Sequence, residues 1–142
     1  MKWFFDSSVL VPVFYADHPH HGPSAKAFLT ATKQDFCALQ TLGEVYATLT
    51  GLPVRPRISG AEDIDILKQI RDRLTLIALS EAEYVPALES VSATIVGGAA
   101  YDALIARCAL KAQAETLLTW NVRDFTRMGP EVARIVKTPA QM

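Results

Sequence analysis

The sequence predicts one α/β domain over residues 1–142, with helices on both faces of a parallel sheet. Its length is that of one ordinary domain. Half of its residues are hydrophobic, which is enough for a sizeable core without disulfides or structural metals. Short apolar runs alternate with segments of helical character along the chain, and this alternation favours a parallel sheet.

Five short apolar runs are predicted to form the sheet. The first is Trp3–Phe5, and because Asp6 ends this wholly apolar run, we expect a buried central strand. The other four strands are predicted, in chain order, at residues 36–39, 74–79, 116–119 and 134–137. Ligands of such sheets bind at the carboxyl ends of the strands, so that edge is where a site is expected.

Capping residues and prolines place the first two helices. Ser7 or Ser8 is predicted to cap a short helix that Pro12 kinks or starts. Pro23 is well placed in the first turn of a second helix that runs to about Thr32.

The later helices carry similar signals. Thr41 is predicted to cap a helix that ends at Gly51. A long helix is predicted over residues 101–113, after the break at Gly97 and Gly98. Two capping boxes begin the remaining helices, at Ser59 with Glu62 and at Ser80 with Glu83.

Acidic residues stand at the edges of several apolar segments. These residues are Asp6, Glu44 in TLGEVYATLT, Asp102 in GGAAYDALIARCAL, and Asp124 in LLTWNVRDF, where it follows Asn121. An acid beside hydrophobic residues is costly unless something pairs with it, and these positions all map to one edge of the sheet. Clustered carboxylates repel one another unless a cation lies between them, so the pattern predicts a Mg²⁺ or Mn²⁺ site.

Each acid also has an ordinary structural interpretation. Asp6 is a favoured helix N-cap. Glu44 and Asp102, expected in the first turns of their helices, would interact well with the helix dipole. Asp124 suits a solvated loop or a cap. The metal hypothesis therefore depends on all four acids together.

Other patterns bear on the class of protein and its location. Three histidines, His18, His20 and His21, lack companion ligands at zinc spacing, so a solvated loop is favoured. Cys37 and Cys108 lie in apolar stretches, as expected of buried thiols in a reducing cytosol. No apolar run approaches the ~20 residues of a membrane span. We therefore expect a soluble, cytoplasmic protein with no membrane association.

Three stretches carry a resemblance to a known family: FFDSSVLVPVF, LGEVYATLT and GGAAYDALIARCALKAQAETLLTWNVRDF. In their order and spacing the chain resembles a PIN domain, and specifically the VapC toxins of bacterial toxin–antitoxin pairs. The resemblance implies a Rossmann-like sheet and a Mg²⁺- or Mn²⁺-dependent endoribonuclease. It also implies an RNA substrate, a small antitoxin encoded nearby and a homodimer. Asp6, Glu44 and Asp102 would form the acidic core.

The resemblance also assigns supporting residues. Ser8 stands where the family has a small polar residue, and Thr119 where it has a hydroxyl before its last acid. The family often reads Thr-x-Asp there, whereas this chain has Asn121 and then Asp124 three residues later. We predict that Asp124 contributes more to metal binding, and that Arg123 holds flanking phosphates of the RNA. The Asn121 substitution motivates an alternative, a non-catalytic RNA-binding or assembly module that keeps the fold.

Overall fold

An all-parallel sheet of five short strands forms the centre of the molecule. The computed structural model describes residues 2–142, and in that range the strands lie in the order β3-β2-β1-β4-β5. This arrangement confirms the predicted fold class. The strands are β1 (Trp3–Phe5), β2 (Phe36–Ala38), β3 (Thr75–Ile77), β4 (Thr116–Leu118) and β5 (Val136–Lys137).

Eight α-helices and one 3₁₀ turn are found in the described residues and cover the two faces of the sheet. Among residues 2–142, no helix combines the length and apolar character needed to cross a bilayer. The helices are α1 (Ser7–Val13), α2 (His21–Thr30), α3 (Leu39–Thr50), α4 (Gly60–Arg73), α5 (Glu81–Glu89), α6 (Ala99–Lys111), α7 (Val122–Thr126) and α8 (Pro130–Ala133), and the 3₁₀ turn is Pro139–Gln141.

The central strand divides the hydrophobic core into two layers. Successive side chains of a strand point to opposite faces, so Phe4 and Phe5 are both fully buried but on different sides. Phe5 packs with Leu10 and other residues of α1 to α4. Phe4 packs with Ile105 and with residues of α6 to α8. The two layers hold β1 rigidly, and with it the residue that follows.

Both predicted capping boxes begin helices in the structure. Ser59 Oγ accepts from the Glu62 N–H at 3.1 Å, and the Ser59 N–H donates to Glu62 Oε1 at 3.0 Å. The Ser80 N–H donates to Glu83 Oε1 at 2.7 Å. Gly51 ends α3, as predicted.

The prediction that Thr41 caps α3 is wrong. The helix already begins at Leu39, its N-cap is Ala38, and Thr41 is buried inside it. The physical reason is that β2 runs into α3 without a loop, so no separate capping residue is used. Glu44 consequently lies in the second turn of the helix and not in the first.

Several other elements also differ from the predictions. The long helix α6 begins at Ala99, two residues early, because the backbone is already helical at its N-cap, Gly98. The last strand is shorter than predicted, since Arg134 ends α8. The short helices α7 and α8 were not predicted, because neither is long enough to show helical periodicity.

The strand order reverses beside β1, which creates a crevice at the carboxyl edge of the sheet. Connections from β1 lead to β2 and β3 on one side, while β4 and β5 lie on the other. The Asp6 N–H extends the β1–β4 ladder by donating to the Leu118 carbonyl oxygen at 3.0 Å. Ligand sites of open α/β sheets lie at such reversals.

Candidate active site

Asp6 lies at the base of this crevice, directly after β1. Its side chain is 1% exposed. Its Oδ2 accepts hydrogen bonds from the Ser8 hydroxyl at 2.8 Å, the Thr119 hydroxyl at 2.9 Å and the Ser8 N–H at 3.4 Å. Asp6 therefore caps α1 itself, which corrects the prediction that Ser7 or Ser8 does so. Burial raises the pKa of Asp6, while these hydrogen bonds and backbone bonds from Ser7 and Ser8 oppose that shift.

A small hydroxyl network fixes the loop after β4 against the start of α1. The hydroxyls of Ser8 and Thr119 lie 3.1 Å apart, and both reach Asp6. The Trp120 N–H donates to Ser8 Oγ at 2.9 Å, and the Asn121 N–H donates to Thr119 Oγ1 at 2.9 Å. The two predicted supporting hydroxyls are thus brought to the first acid and orient it through a single oxygen.

Glu44 approaches the same crevice from α3. The side chain is half-buried, and its Oε1 is buried without a hydrogen-bond partner among residues 2–142. The pKa of Glu44 is raised to about 6, mainly by burial and also by the negative charges of Asp6 and Asp102, while the Gln40 and Ser7 side chains act in the opposite direction. An orphaned carboxylate oxygen facing other acids is costly, so this atom calls for a positive partner.

Asp102 completes the acidic cluster from the first turn of α6. The pKa of its half-buried carboxyl is raised to about 6, first by burial and then by the charges of Asp6 and Asp124. The charge of Arg127 lowers it. The acidic cluster, defined as Asp6, Glu44, Asp102 and Asp124, therefore comes from four distant parts of the chain.

The acidic cluster suits a hard cation, although it is not a closed metal cage. In the part of the chain that the structure describes, no group of three or more acidic, histidine or cysteine side chains is arranged to hold a metal ion. Mg²⁺ commonly keeps several waters and takes only one or two carboxylates together with substrate phosphates. The unpartnered Glu44 Oε1 is the kind of atom that such a cation would satisfy. The residues fit an open site, and the cation itself stays a prediction.

The two candidates for the fourth metal ligand, Asn121 and Asp124, differ in their exposure. Asn121 is exposed and is the N-cap of α7. Asp124 is half-buried in the first turn of that helix, where its charge acts on Asp102. Arg123 is exposed on the same helix. The charge of Arg127 reaches the acidic cluster, where it acts on Asp102.

Comparison by structure shows what the fold resembles, whereas a search by sequence matches the chain to no family profile and to no characterised protein. VapC20 of Mycobacterium tuberculosis, a Sarcin-Ricin loop cleaving toxin, superimposes with a TM-score of 0.68 at 14% identity, covering 86% of this chain and 92% of its own. VapBC2 from Rickettsia felis, bound to a DNA fragment from their promoter, gives a TM-score of 0.63 at 20% identity, covering 97% and 98%. The chain has the PIN-domain fold.

Beside the acidic cluster, this PIN domain carries a row of aromatic rings. His20 stacks on Trp120 with ring centroids 3.8 Å apart and planes 9° apart, and His18 lies 5.6 Å from His20. We call His18, His20 and Trp120 the aromatic shelf. The three histidines of the expected solvated loop are each partly buried. Local sequence gave no signal for this contact, since Trp120 is distant in the chain.

A wide apolar groove opens on the opposite side of the acidic cluster. Its volume is about 740 Å³, and it runs between α3, α5 and α6 with Glu44 at its wall. Leu39, Tyr84 and Tyr101 line it and remain 51%, 44% and 59% exposed. Large apolar side chains at this exposure mark a surface suited to a protein partner.

Proposed function

We propose that this PIN domain is a Mg²⁺- or Mn²⁺-dependent endoribonuclease, and that it is the toxin of a toxin–antitoxin pair. The observation that carries the proposal is the convergence of Asp6, Glu44 and Asp102 at the reversal of the sheet, where the charge of Asp6 raises the pKa of both Glu44 and Asp102. The fold likeness to VapC20, a toxin that cleaves the Sarcin-Ricin loop, supports the proposal.

In this proposal the acidic cluster holds the cation. Asp6, Glu44 and Asp102 supply carboxylate oxygens, and Ser8 and Thr119 fix Asp6 by occupying its Oδ2. When bound, the cation supplies a more acidic water and offsets the negative charge of a phosphodiester. Without it, the carboxylates of the acidic cluster would repel the phosphates of an RNA.

The substrate side of the proposal rests on the shape and charge of the crevice. It opens at the edge of the sheet, which a splayed single strand or loop reaches more readily than a duplex does. Arg127 is placed to offset phosphate charge beside Asp102, and Arg123 offers a second cation on the exposed side of α7.

The partner side of the proposal rests on the apolar groove. A small antitoxin would place an apolar helix in the groove and an arginine against the acidic cluster, where a guanidinium replaces the charge of the metal. VapBC2 is a neighbour in fold, so such a pair has a structural precedent. The homodimer also stays a prediction, to be measured by light scattering.

Metal dependence is the direct test of the proposed function. We expect the purified protein to cleave a single-stranded RNA with Mg²⁺ or Mn²⁺ and to lose at least ~10²-fold in rate in EDTA, because the carboxylates then have no cation to hold. Gel analysis of end-labelled RNA gives the rate, and restored activity on adding Mg²⁺ is the control. Full activity in EDTA contradicts the metal hypothesis, while RNA binding without cleavage under any metal favours the non-catalytic alternative.

The fourth metal ligand can be identified by comparing two variants. We expect Asp124→Asn to weaken metal binding by about 10-fold and Asn121→Ala to change it little, because a carboxylate is a stronger Mg²⁺ ligand than an amide. Mn²⁺ titration followed by calorimetry measures the affinity, and thermal unfolding controls for stability. The opposite ranking would make Asn121 the fourth metal ligand. If both variants bind metal like the parent, the site works with three carboxylates.

A further inference from the structure

A second cavity lies beside the acidic cluster, bounded by α1, the histidine loop and the turn after β4. Its volume is about 380 Å³, within the range of about 300–1,000 Å³ for ligand clefts. Ser8 and Asn121 line it, and so does the whole aromatic shelf. Because Ser8 also bonds Asp6, the cavity and the acidic cluster share a wall.

The aromatic shelf is held in a fixed position relative to Asp6. The Trp120 indole N–H donates to Ser24 Oγ at 2.9 Å, and Ser24 is fully buried in α2. The Trp120 backbone N–H donates to Ser8 Oγ, the same atom that donates to Asp6. Two bonds therefore fix the indole, and His20 lies flat against it. A ring surface fixed in this way is suited to stacking, because little side-chain freedom is lost when a ligand binds.

The chemical groups that line the cavity favour a nucleobase over the other ligands that a nuclease binds. Among the described residues that line the cavity, none carries a carboxylate. His18 Nδ1 already accepts the His20 N–H at 3.0 Å, so that nitrogen is engaged within the protein and not free for a metal. The rest of the lining is the ring surface of the aromatic shelf, the Ser7 and Thr48 hydroxyls and the apolar Val11 and Pro12. The exposed Asn121 amide offers both a donor and an acceptor at the rim.

We propose that this cavity is a nucleobase subsite, in which one unpaired base of a single-stranded RNA stacks on the aromatic shelf while Asn121 bonds its edge. The inference rests on the proposed ribonuclease function and deepens it by stating what lies beside the cleaved bond. Stacking tolerates every base because each has a π-face, whereas an amide at the rim discriminates between base edges. The subsite therefore contributes affinity through the shelf and preference through Asn121.

The test uses the fluorescence of Trp120. In a Trp3→Phe protein, Trp120 is the one remaining tryptophan of the chain's two. An added Asp102→Asn substitution stops cleavage while leaving the Asp6 network in place. With Mg²⁺ present, a short end-labelled single-stranded RNA is titrated, and Trp120 quenching and the anisotropy of the label are recorded together. We expect both signals to saturate with the same Kd.

Two histidine variants then separate the subsite from general loop effects. His20→Ala removes a ring of the shelf, and we expect Kd to rise between about 5- and 150-fold. His21→Ala is the matched control, because His21 bonds the Pro12 carbonyl and does not line the cavity, so its Kd should stay within about 2-fold. His20→Phe keeps a ring and should retain most of the affinity. An RNA with a single abasic position should lose affinity at one register only.

The outcomes distinguish the subsite from the proposed function. RNA that binds by anisotropy without quenching Trp120 overturns the subsite, as does cleavage by His20→Ala at the parental rate. Both results leave the nuclease intact if the protein with Asp102 still cleaves RNA with Mg²⁺. A parent that neither binds nor cleaves RNA overturns both. If His20→Ala fails to fold, the quenching of Trp120 beside the unmodified His20 still decides the question.

Discussion

Asp6→Asn should reduce the rate of RNA cleavage by at least ~10²-fold. The substitution removes the charge that holds the cation but keeps the shape of the side chain and its ability to cap α1, since Asn is as good an N-cap as Asp. Initial rates on a single-stranded RNA at saturating Mg²⁺ measure the loss. Asp65→Asn, an exposed acid on α4, is the matched control and should cleave like the parent.

The same substitution should raise thermal stability in EDTA. Burial raises the pKa of Asp6, so at any pH where the unfolded chain ionises this carboxyl the folded state is destabilised relative to it. This destabilisation is present at high pH and is lost as the pH falls through the raised pKa. The gain in Tm of Asp6→Asn should therefore be largest near pH 7 and shrink towards pH 4. Loss of both activity and stability would instead indicate a structural role for Asp6.

Expression of the parent protein alone should stop bacterial growth. The prediction follows from the proposed toxin function, because uncontrolled RNA cleavage depletes an essential substrate. Viable counts after induction are expected to fall by ~10²-fold or more, whereas the inactive Asp102→Asn protein should leave growth unchanged at equal soluble level. A small protein encoded beside the gene should restore growth when it is expressed with the toxin.

The apolar groove provides the control for that rescue. Tyr101→Asp places a charge in the groove and should weaken rescue by the partner, with toxicity retained because Tyr101 is exposed and outside the acidic cluster. Growth of cells that contain demonstrably folded, RNA-cleaving parent protein would contradict the toxin proposal. Rescue that is insensitive to Tyr101→Asp would place the partner elsewhere.

The acidic cluster could be located from the sequence because its signals are local. Asp6 ends a wholly apolar strand, and Asp102 follows a glycine break before a long helix. Once the sheet is taken to be parallel, both positions fall at its carboxyl edge, where the structure has them. No contact between distant residues had to be known for this step.

The parts that sequence did not predict depend on long-range contacts. The stacking of His20 on Trp120 and the effect of Arg127 on Asp102 join segments that no spacing rule connects. Because β2 leads directly into α3, the helix begins before Thr41, and Thr41 does not cap it. Ser8 and Thr119 were predicted as supporting residues, but only the structure shows that both hydroxyls bond the same carboxylate oxygen of Asp6.

The pairing of β1 with β4 also determines when the crevice can form during synthesis of the chain. Asp6 and Thr119 touch in the finished protein although 113 residues separate them. At about 5–20 residues per second, a ribosome needs about 6 to 23 s to travel between the two. During that interval one edge of β1 is unpaired, because β4 has not yet been made. A prematurely terminated chain that ends before residue 116 lacks this half of the crevice. Under the proposed toxin function, the order of synthesis thus delays activity until β4 has been made.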